Sequence, residues 1–254
     1  MRKVKKKVNA AILIIGNEIL SGRTQDLNVS FLSDWLNQKC GISVKEVRIV
    51  PDIERTIVKN ILELSKKFKY VFTTGGIGPT HDDITAKSIA KAFNKKYEYH
   101  KEAYSILENY YGKKNFNDGR RKMSKMPRGS KLIKNPSSAA PGFIIKNIFC
   151  LPGVPSILRA MIDNVEKYLI KGNVIFTKSL NVHTVESSIS KELKSIQKKY
   201  IEKVEIGSYP FFRLGKIGVS IVLRSSNMKK LKLCLFEIKK MVNLKKIKIY
   251  KHKY

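Results

Sequence analysis

Cysteines, acidic residues and long apolar runs are all scarce in this chain of 254 residues. Its three cysteines, Cys40, Cys150 and Cys234, are odd in number and widely spaced, so they indicate neither a disulfide framework nor a zinc site. A reducing, cytoplasmic location is therefore expected. No apolar run approaches the roughly 20 residues that a membrane-spanning helix needs, so we expect no membrane partner.

The shortage of acidic residues leaves the chain strongly basic. Only 20 Asp and Glu accompany 51 Lys and Arg, for a formal net charge of +31. The basic residues comprise 10 arginines and 41 lysines, spread along the whole chain. Surfaces that read bases and clamp phosphates favour arginine forks over the point charges of lysine. We expect nucleic acid to bind only non-specifically, and the positive field to attract small anionic ligands.

Disorder is excluded by a hydrophobic content of 43%, which includes 11 Phe and 11 Tyr. The first two thirds of the chain alternate strand and helix patterns at short spacing, which predicts a mostly parallel sheet wrapped by helices. Val8–Ile15 is a continuous apolar run, typical of a strand buried on both faces. A boundary at Lys171-Gly172-Asn173 divides the chain into an α/β domain, residues 1–171, and a small α+β accessory domain, residues 172–254.

Several finer elements are predicted as well. A loop runs from Gly16 to Leu27, and a single helix covers Ser156–Leu169. The polar residues 94–125 form an excursion from the sheet that contains a helix at Lys101–Tyr111. The accessory domain is predicted to end with a strand at Lys246–Tyr250.

The most informative motif is TTGGIGPTHDDIT, residues 73–85, between a buried strand and a helix. Open α/β sheets bind ligands at the carboxyl ends of their strands. Glycines let the backbone approach a phosphate closely, and a helix N-terminus adds free N–H donors. We therefore predict a phosphate-binding loop. Its candidate ligand-binding residues are Thr74, Gly75, Gly76, Gly78, Pro79, Thr80 and Thr85.

This loop lacks the lysine of a Walker A motif and carries two carboxylates instead, Asp82 and Asp83. These would repel a phosphate unless a divalent cation bridges them, and oxygen ligands suit Mg²⁺ or Mn²⁺. Successive residues at a helix start point about 100° apart, so we expect Asp83 to bind the metal while its neighbour caps the helix. The alternative is a tight turn and a cap without any ligand.

Two further segments are predicted to lie at the same edge of the sheet. GNEILSG, residues 16–22, follows a buried strand; Asn17 and Glu18 are candidates there, Glu18 as a third carboxylate. Asn28, at a predicted helix start, could bond a ligand. The segments NPSSAAPGF and LPGVPS could hold an anion through backbone amides, with the candidates Ser137, Ser138, Pro152 and Gly153. Solvated loops and plain turns are the alternatives.

These four segments, in this order from about Val8 to Leu169, resemble the molybdopterin-binding-like domain of the CinA (competence/damage-inducible protein A) family. The same domain forms the N-terminal half of eukaryotic FAD synthases. Glu186-Ser187-Ser188-Ile189 and Gly207-Ser208-Tyr209-Pro210 resemble the accessory domain that follows, the second tetrapeptide being closer to the FAD-synthase branch. One departure is Ser138-Ala139, where the family more usually has Gly-Thr.

The resemblance implies a three-layer α/β fold and a pyrophosphatase of ADP-ribose or FAD that depends on Mg²⁺, Mn²⁺ or Co²⁺. By motif, Asp82, Asp83 and Glu18 match acidic catalytic and metal positions, and the three loop glycines match the phosphate loop. It also implies a homodimer, whose assembly we assign to the accessory domain. An alternative remains open, because related proteins of molybdenum-cofactor synthesis bind or adenylylate molybdopterin without hydrolysis.

Overall fold

A computed structural model describes residues 8–213 and 215–250 of the chain. The chain forms two compact units, Met1–Gly172 and Asn173–Tyr254. The strands of the first unit are β1 (Val8–Ile15), β2 (Ile42–Val50), β3 (Tyr70–Thr74), β4 (Tyr97–Tyr99), β5 (Lys125–Pro127), β6 (Lys131–Ile133), β7 (Gly142–Ile145) and β8 (Ile148–Leu151). Its α-helices are α1 (Asn17–Leu20), α2 (Asn28–Trp35), α3 (Glu54–Lys67), α4 (Thr85–Ala92), α5 (Lys101–Tyr111), α6 (Asp118–Lys122), α7 (Pro155–Met161) and α8 (Asp163–Glu166).

A six-stranded sheet in the order β2-β1-β3-β8-β7-β6 forms the centre of this unit. The first four strands are parallel, whereas β7 and β6 each run antiparallel to their neighbour. The predicted mostly parallel α/β sheet is therefore confirmed. Parallel strands need crossover helices, and these cover both faces of the sheet.

Strand β1 shows how the two faces are filled. Ala10, Ile12 and Ile14 lie in one apolar cluster with side chains of α2 and α7. The alternate residues of the strand lie in a second cluster with side chains of α3 and α4. Because the side chains of a strand point alternately to opposite faces, an uninterrupted apolar run fills both layers. Each fully buried Ile or Leu contributes roughly 1.5–3 kcal/mol relative to an exposed one.

The topology collects the candidate segments at one edge of the sheet. Strands β1, β2, β3 and β8 are parallel, so the loops that follow them leave from the same edge. Strand β7 pairs Phe143 with Cys150 and Gly142 with Ile133, so residues 134–141 turn at this edge too. We call it the carboxyl edge.

Some finer elements differ from the prediction. The loop after β1 contains α1, and the helix predicted over Ser156–Leu169 is two helices, α7 and α8. Helix α2 continues as a π-helical turn, Leu36–Cys40. In the polar excursion the predicted helix at Lys101–Tyr111 is confirmed as α5. The two-stranded ribbon of β4 and β5 was not predicted, because strands of three residues show no measurable alternation.

The second unit is a three-stranded antiparallel sheet with two helices. Its elements are β9 (Phe176–Val182), a 3-10 turn (Glu186–Ser188), α9 (Ser190–Lys199), β10 (Glu205–Arg213), β11 (Lys216–Ser225) and α10 (Met228–Leu244). The sheet has the order β10-β11-β9, and α10 packs Leu231, Cys234 and Ile238 against it. The α+β class is confirmed. The strand predicted at Lys246–Tyr250 is wrong, because that segment forms only an isolated bridge, Ile249 with Val182.

Among the helices of the described residues, none combines the length and the apolar character needed to cross a bilayer.

Candidate functional site

The loop after β3 has a left-handed backbone at two positions where the surrounding atoms also leave no room for a Cβ. Gly75 and Gly76 have φ angles of +97° and +65°. A Cβ on Gly75 would lie 2.1 Å from the backbone oxygen of Ile15, and one on Gly76 would lie 2.2 Å from Thr85 Oγ1. Thr85, which we predicted to bind ligand, is buried and donates from its hydroxyl to Gly75 O at 2.9 Å. Thr85 therefore closes the loop from inside.

Three successive backbone donors of this loop have no partner among the described residues. Within the part of the chain that the structure describes, the N–H groups of Gly76, Ile77 and Gly78 have no hydrogen-bond acceptor. All three residues are partly exposed. Successive N–H groups in a turn with left-handed residues form a concave site for anions. The loop thus offers three successive donors without a partner, a feature of anion-binding turns.

The Asp83 carboxylate accepts hydrogen bonds from Thr80 and does not cap helix α4. Its Oδ2 accepts hydrogen bonds from Thr80 N at 2.8 Å and from the Thr80 hydroxyl at 2.5 Å. The carboxylate also lies over Gly78, where a Cβ would be 2.7 Å from Oδ2. Asp82 is exposed in the same turn. Helix α4 begins at Thr85 with no side-chain cap, so the predicted capping of this helix by an aspartate is wrong.

Asp52 is a fourth carboxylate of the site that we did not predict. It follows β2, and its Oδ2 accepts a hydrogen bond from Asn17 N at 2.8 Å. Burial raises the pKa of Asp52, and the negative charges of Glu18, Asp82 and Asp83 raise it further. Four carboxylates from three loops are thus close enough to interact. The signal was present in the sequence, because Pro51-Asp52 directly follows a strand of the parallel sheet.

Glu18 lies in α1 and folds back over the preceding glycine. A Cβ on Gly16 would lie 2.5 Å from Glu18 Oε1. Across residues 8–213 and 215–250, no group of three or more His, Cys, Asp or Glu side chains is arranged to hold a metal ion. The acidic residues are neighbours at one edge, but they do not form a closed cage.

Asn28 connects the loop after β8 with helix α2. Its Nδ2 donates to Gly153 O at 2.7 Å. Gly153 in turn lies close to the loop after β3, since a Cβ on Gly153 would be 3.2 Å from Gly75 Cα. Asn28 Oδ1 and Thr74 Oγ1 are buried and have no partner among the described residues. An unsatisfied buried polar atom costs about 1–3 kcal/mol, which a ligand or a water molecule at this edge could offset.

Asn135 organises the turn that contains Ser137 and Ser138. Its Oδ1 accepts from Ser137 N at 2.9 Å and from Ser138 N at 3.1 Å. Its Nδ2 donates to Ser138 Oγ and to Ala140 O, both at 2.8 Å. Ala139 has a left-handed φ of +61°. The Ser138 hydroxyl thus accepts one bond within the turn and keeps its proton for another acceptor.

A small cleft adjoins the glycine loop, with a cavity volume of about 10 Å³, which is room for about one water molecule. One wall is the loop itself, from Gly76 to Gly78, with Asp83. The other wall comes from residues that we did not predict: Tyr97, Lys122, Met123, Lys125, Pro141 and Phe143. Burial raises the pKa of Tyr97 to about 12, so this phenol stays neutral. Pro141 and Phe143 end the NPSSAAPGF segment, whereas no local motif marks the other four residues, which lie on the polar excursion.

Comparison with known proteins gives two family matches. A family model described as a probable molybdopterin binding domain matches residues 11–171. A second model, described as the middle domain of FAD synthase, matches residues 174–251.

Individual proteins are similar over most of the chain. A protein from Archaeoglobus fulgidus is 36% identical over 199 residues, which cover 78% of this chain and 84% of that protein. A protein from Pyrococcus abyssi is 34% identical over 218 residues, with coverages of 80% and 85%. Among solved structures, the CinA protein from Thermoplasma acidophilum, described as having unknown function, is 31% identical. That alignment has a TM-score of 0.60 and covers 64% of this chain and 98% of the other.

Proposed function

The chain belongs to the family of probable molybdopterin-binding domains, and from this premise we propose that it is a divalent-metal-dependent pyrophosphatase of ADP-ribose, FAD or a similar nucleotide. The membership and the solved CinA structure confirm the resemblance that the first domain showed. The match of residues 174–251 to the FAD synthase middle domain confirms the resemblance of the second.

One observation carries the proposal: unpartnered backbone donors lie beside carboxylates at the same sheet edge. The N–H groups of Gly76, Ile77 and Gly78 suit phosphate oxygens. Asp83, fixed by Thr80, lies over Gly78. Three unpartnered donors suit an anionic group, and the neighbouring carboxylates suit a cation bound beside it.

The carboxylates at this edge can hold a divalent cation that shares its coordination with the substrate. Carboxylate oxygens are the preferred ligands of Mg²⁺ and Mn²⁺. The described residues form no cage of three. Magnesium sites that use one or two carboxylates and complete their shell with substrate phosphate oxygens need no such cage. Asp83 and Asp82 would hold the cation, with Glu18 as a further ligand or as the base that orients water. A bound cation would neutralise charge as the anhydride opens.

The protein residues then have defined tasks. The loop amides hold one phosphate and favour the charge that develops on its oxygens. A water molecule attacks that phosphorus and gives its proton to a carboxylate, while the bridging oxygen leaves with the other phosphate. The products are AMP with ribose 5-phosphate from ADP-ribose, or AMP with FMN from FAD.

A second candidate function is the binding of molybdopterin without hydrolysis, which the description of the matching family favours. The same loop amides would hold the pterin's phosphate. What separates the two candidates is whether the pterin binds tightly without a metal while dinucleotides are left uncleaved.

The test is an assay of AMP release from ADP-ribose and from FAD with Mg²⁺, Mn²⁺ and Co²⁺ in turn. We expect turnover with at least one pair and its loss in the presence of a chelator. Asp83→Asn should lower the rate by about a hundredfold. Asp163→Asn changes the charge equally on α8 and should leave the rate unchanged. No AMP from any pair of substrate and metal would overturn the enzyme function.

A further inference from the structure

The glycine loop contains no lysine, yet a lysine from a distant segment lies on it. Lys122, at the end of α6, donates a hydrogen bond from Nζ to the backbone oxygen of Thr80. The same side chain lines the cleft together with Gly76, Gly78 and Asp83. Lys122 and Thr80 are 42 positions apart in the chain, so no local motif connects them.

Helix α6 is packed closely against the loop. Gly119 lies beside Pro79, where a Cβ would be 3.1 Å from Pro79 O and 3.4 Å from Pro79 Cβ. The side chain of Asn117 starts the helix by accepting a hydrogen bond from Arg120 N at 3.0 Å. These contacts fix the direction in which the last residue of α6 points.

The other two cations of α6 are engaged elsewhere. The Arg120 guanidinium lies 4.2 Å from the centre of the Tyr111 ring. Arg121 pairs with Asp118 at 3.1 Å. Lys122, in contrast, forms no ion pair within the described residues, and its bond to Thr80 goes to a neutral carbonyl. An ammonium group has three donors, so two remain for another acceptor.

Thr80 links this ammonium to Asp83. Its N–H and hydroxyl hold the carboxylate, while its carbonyl holds Lys122. A positive and a negative group are therefore fixed on either side of one residue, both facing the cleft beside the loop amides. Charge-assisted bonds to phosphate are about twice as strong as neutral ones.

We propose that Lys122 is a ligand-binding residue that donates to the pyrophosphate on the glycine loop and replaces the lysine that the loop lacks. This inference rests on the proposed function. It assigns recognition of the phosphoric anhydride to two segments, the loop for its backbone donors and α6 for the cation.

A purely structural lysine would also tie α6 to Thr80, so the variants must separate charge from hydrogen bonding. Lys122→Gln keeps an N–H donor for Thr80 O and removes the charge. Lys122→Arg keeps both. Lys113→Gln is the matched control, because Lys113 is exposed in the turn before α6 and its replacement changes the net charge equally.

Calorimetric titration with inorganic pyrophosphate, in the presence of Mg²⁺ and at two salt concentrations, tests the proposal. Lys122→Gln should bind at least about tenfold more weakly than the wild type and with a smaller dependence on salt. Lys122→Arg should recover most of the affinity, and Lys113→Gln should bind like the wild type. Melting temperatures measured in parallel should be nearly equal for all four proteins.

Four results would overturn the inference. If Lys122→Gln binds pyrophosphate as tightly as the wild type, Lys122 is no ligand. If Lys122→Arg loses as much affinity as Lys122→Gln, or if affinity falls only together with the melting temperature, the residue is a structural tie. Absence of pyrophosphate binding by the wild type would overturn the proposed function as well, whereas the other results leave it standing.

Discussion

Asn17 donates a backbone hydrogen bond to Asp52 Oδ2 at 2.8 Å, across 35 positions of the chain. This bond joins the loop after β1 to the loop after β2 at the carboxyl edge. It fixes a half-buried carboxylate near Glu18 and the two aspartates of the glycine loop, whose charges act on it. Four acidic groups are thus concentrated in a chain that is otherwise strongly basic.

Asp52 should make stability depend on pH. Burial raises the pKa of Asp52 above its ordinary value of 3.8, so the folded protein holds this proton more tightly than the unfolded chain. Ionisation of Asp52 therefore costs stability as the pH rises from about 4 through the folded pKa. Asp52→Asn keeps an acceptor for Asn17 N and should be more stable than the wild type at neutral pH, with the difference vanishing below about pH 4.

Urea denaturation of both proteins across this pH range measures that difference. Asp163→Asn, an exposed acid on α8, serves as the control and should show no such pH-dependent gain. A constant gap between wild type and Asp52→Asn, or a gap of opposite sign, would contradict the assignment.

Gly75 should tolerate no side chain. Gly75→Ala places a Cβ 2.1 Å from Ile15 O in a left-handed backbone, whereas Gly129→Ala has a similar φ of +84° and no atom within 4 Å. The left-handed strain alone costs about 1–2 kcal/mol, which is what Gly129→Ala should lose. With the added clash, Gly75→Ala should lose at least about 3 kcal/mol. Equal losses of unfolding free energy in urea would show that the contact with β1 is unimportant.

The sequence predicted most of what local pattern determines. Val8–Ile15 has the predicted bounds because a strand buried on both faces is a continuous apolar run. The segment with the isolated bridge at Ile249 was predicted as a strand, because alternating apolar and polar residues indicate a half-buried segment. The alternation does not show how many of these residues pair with a neighbouring strand. At the site, the loop glycines and Asp83 were recognised from one motif. Lys122 was missed because only tertiary packing brings it to the loop, whereas Asp52 could have been found, because it follows a strand of the parallel sheet.

Asn135 should control the turn of Ser137 and Ser138. Asn135→Ala removes four hydrogen bonds, two accepted and two donated, and should cost about 2–4 kcal/mol of unfolding free energy. Asn164→Ala, which removes one bond to Lys134 O, should cost about 1 kcal/mol. Urea denaturation compares them. Similar losses for both would mean that the turn is held by its backbone alone.

Replacing Asp83 should destabilise the protein more than replacing Asp82. Asp83→Ala removes both hydrogen bonds to Thr80 and should lower the free energy of unfolding by about 1–2 kcal/mol. It should also lower the rate of AMP release. Asp82→Ala removes an exposed carboxylate and should lower the free energy of unfolding by less than about 0.5 kcal/mol. Any loss of activity in this variant is then caused by the lost charge and not by unfolding. Thermal melts run beside the AMP assay separate the two effects. Larger destabilisation by Asp82→Ala would contradict the turn geometry.

The unpartnered amides after β3 should bind the phosphate of the ligand. Titration of the ¹⁵N-labelled protein with AMP, followed by amide chemical shifts, tests it without depending on turnover. We predict saturable shifts at Gly76, Ile77 and Gly78, with Gly112 and Gly129 unmoved as internal controls. Saturable binding that leaves these three amides unshifted, or no binding at all, would show that they do not hold the phosphate.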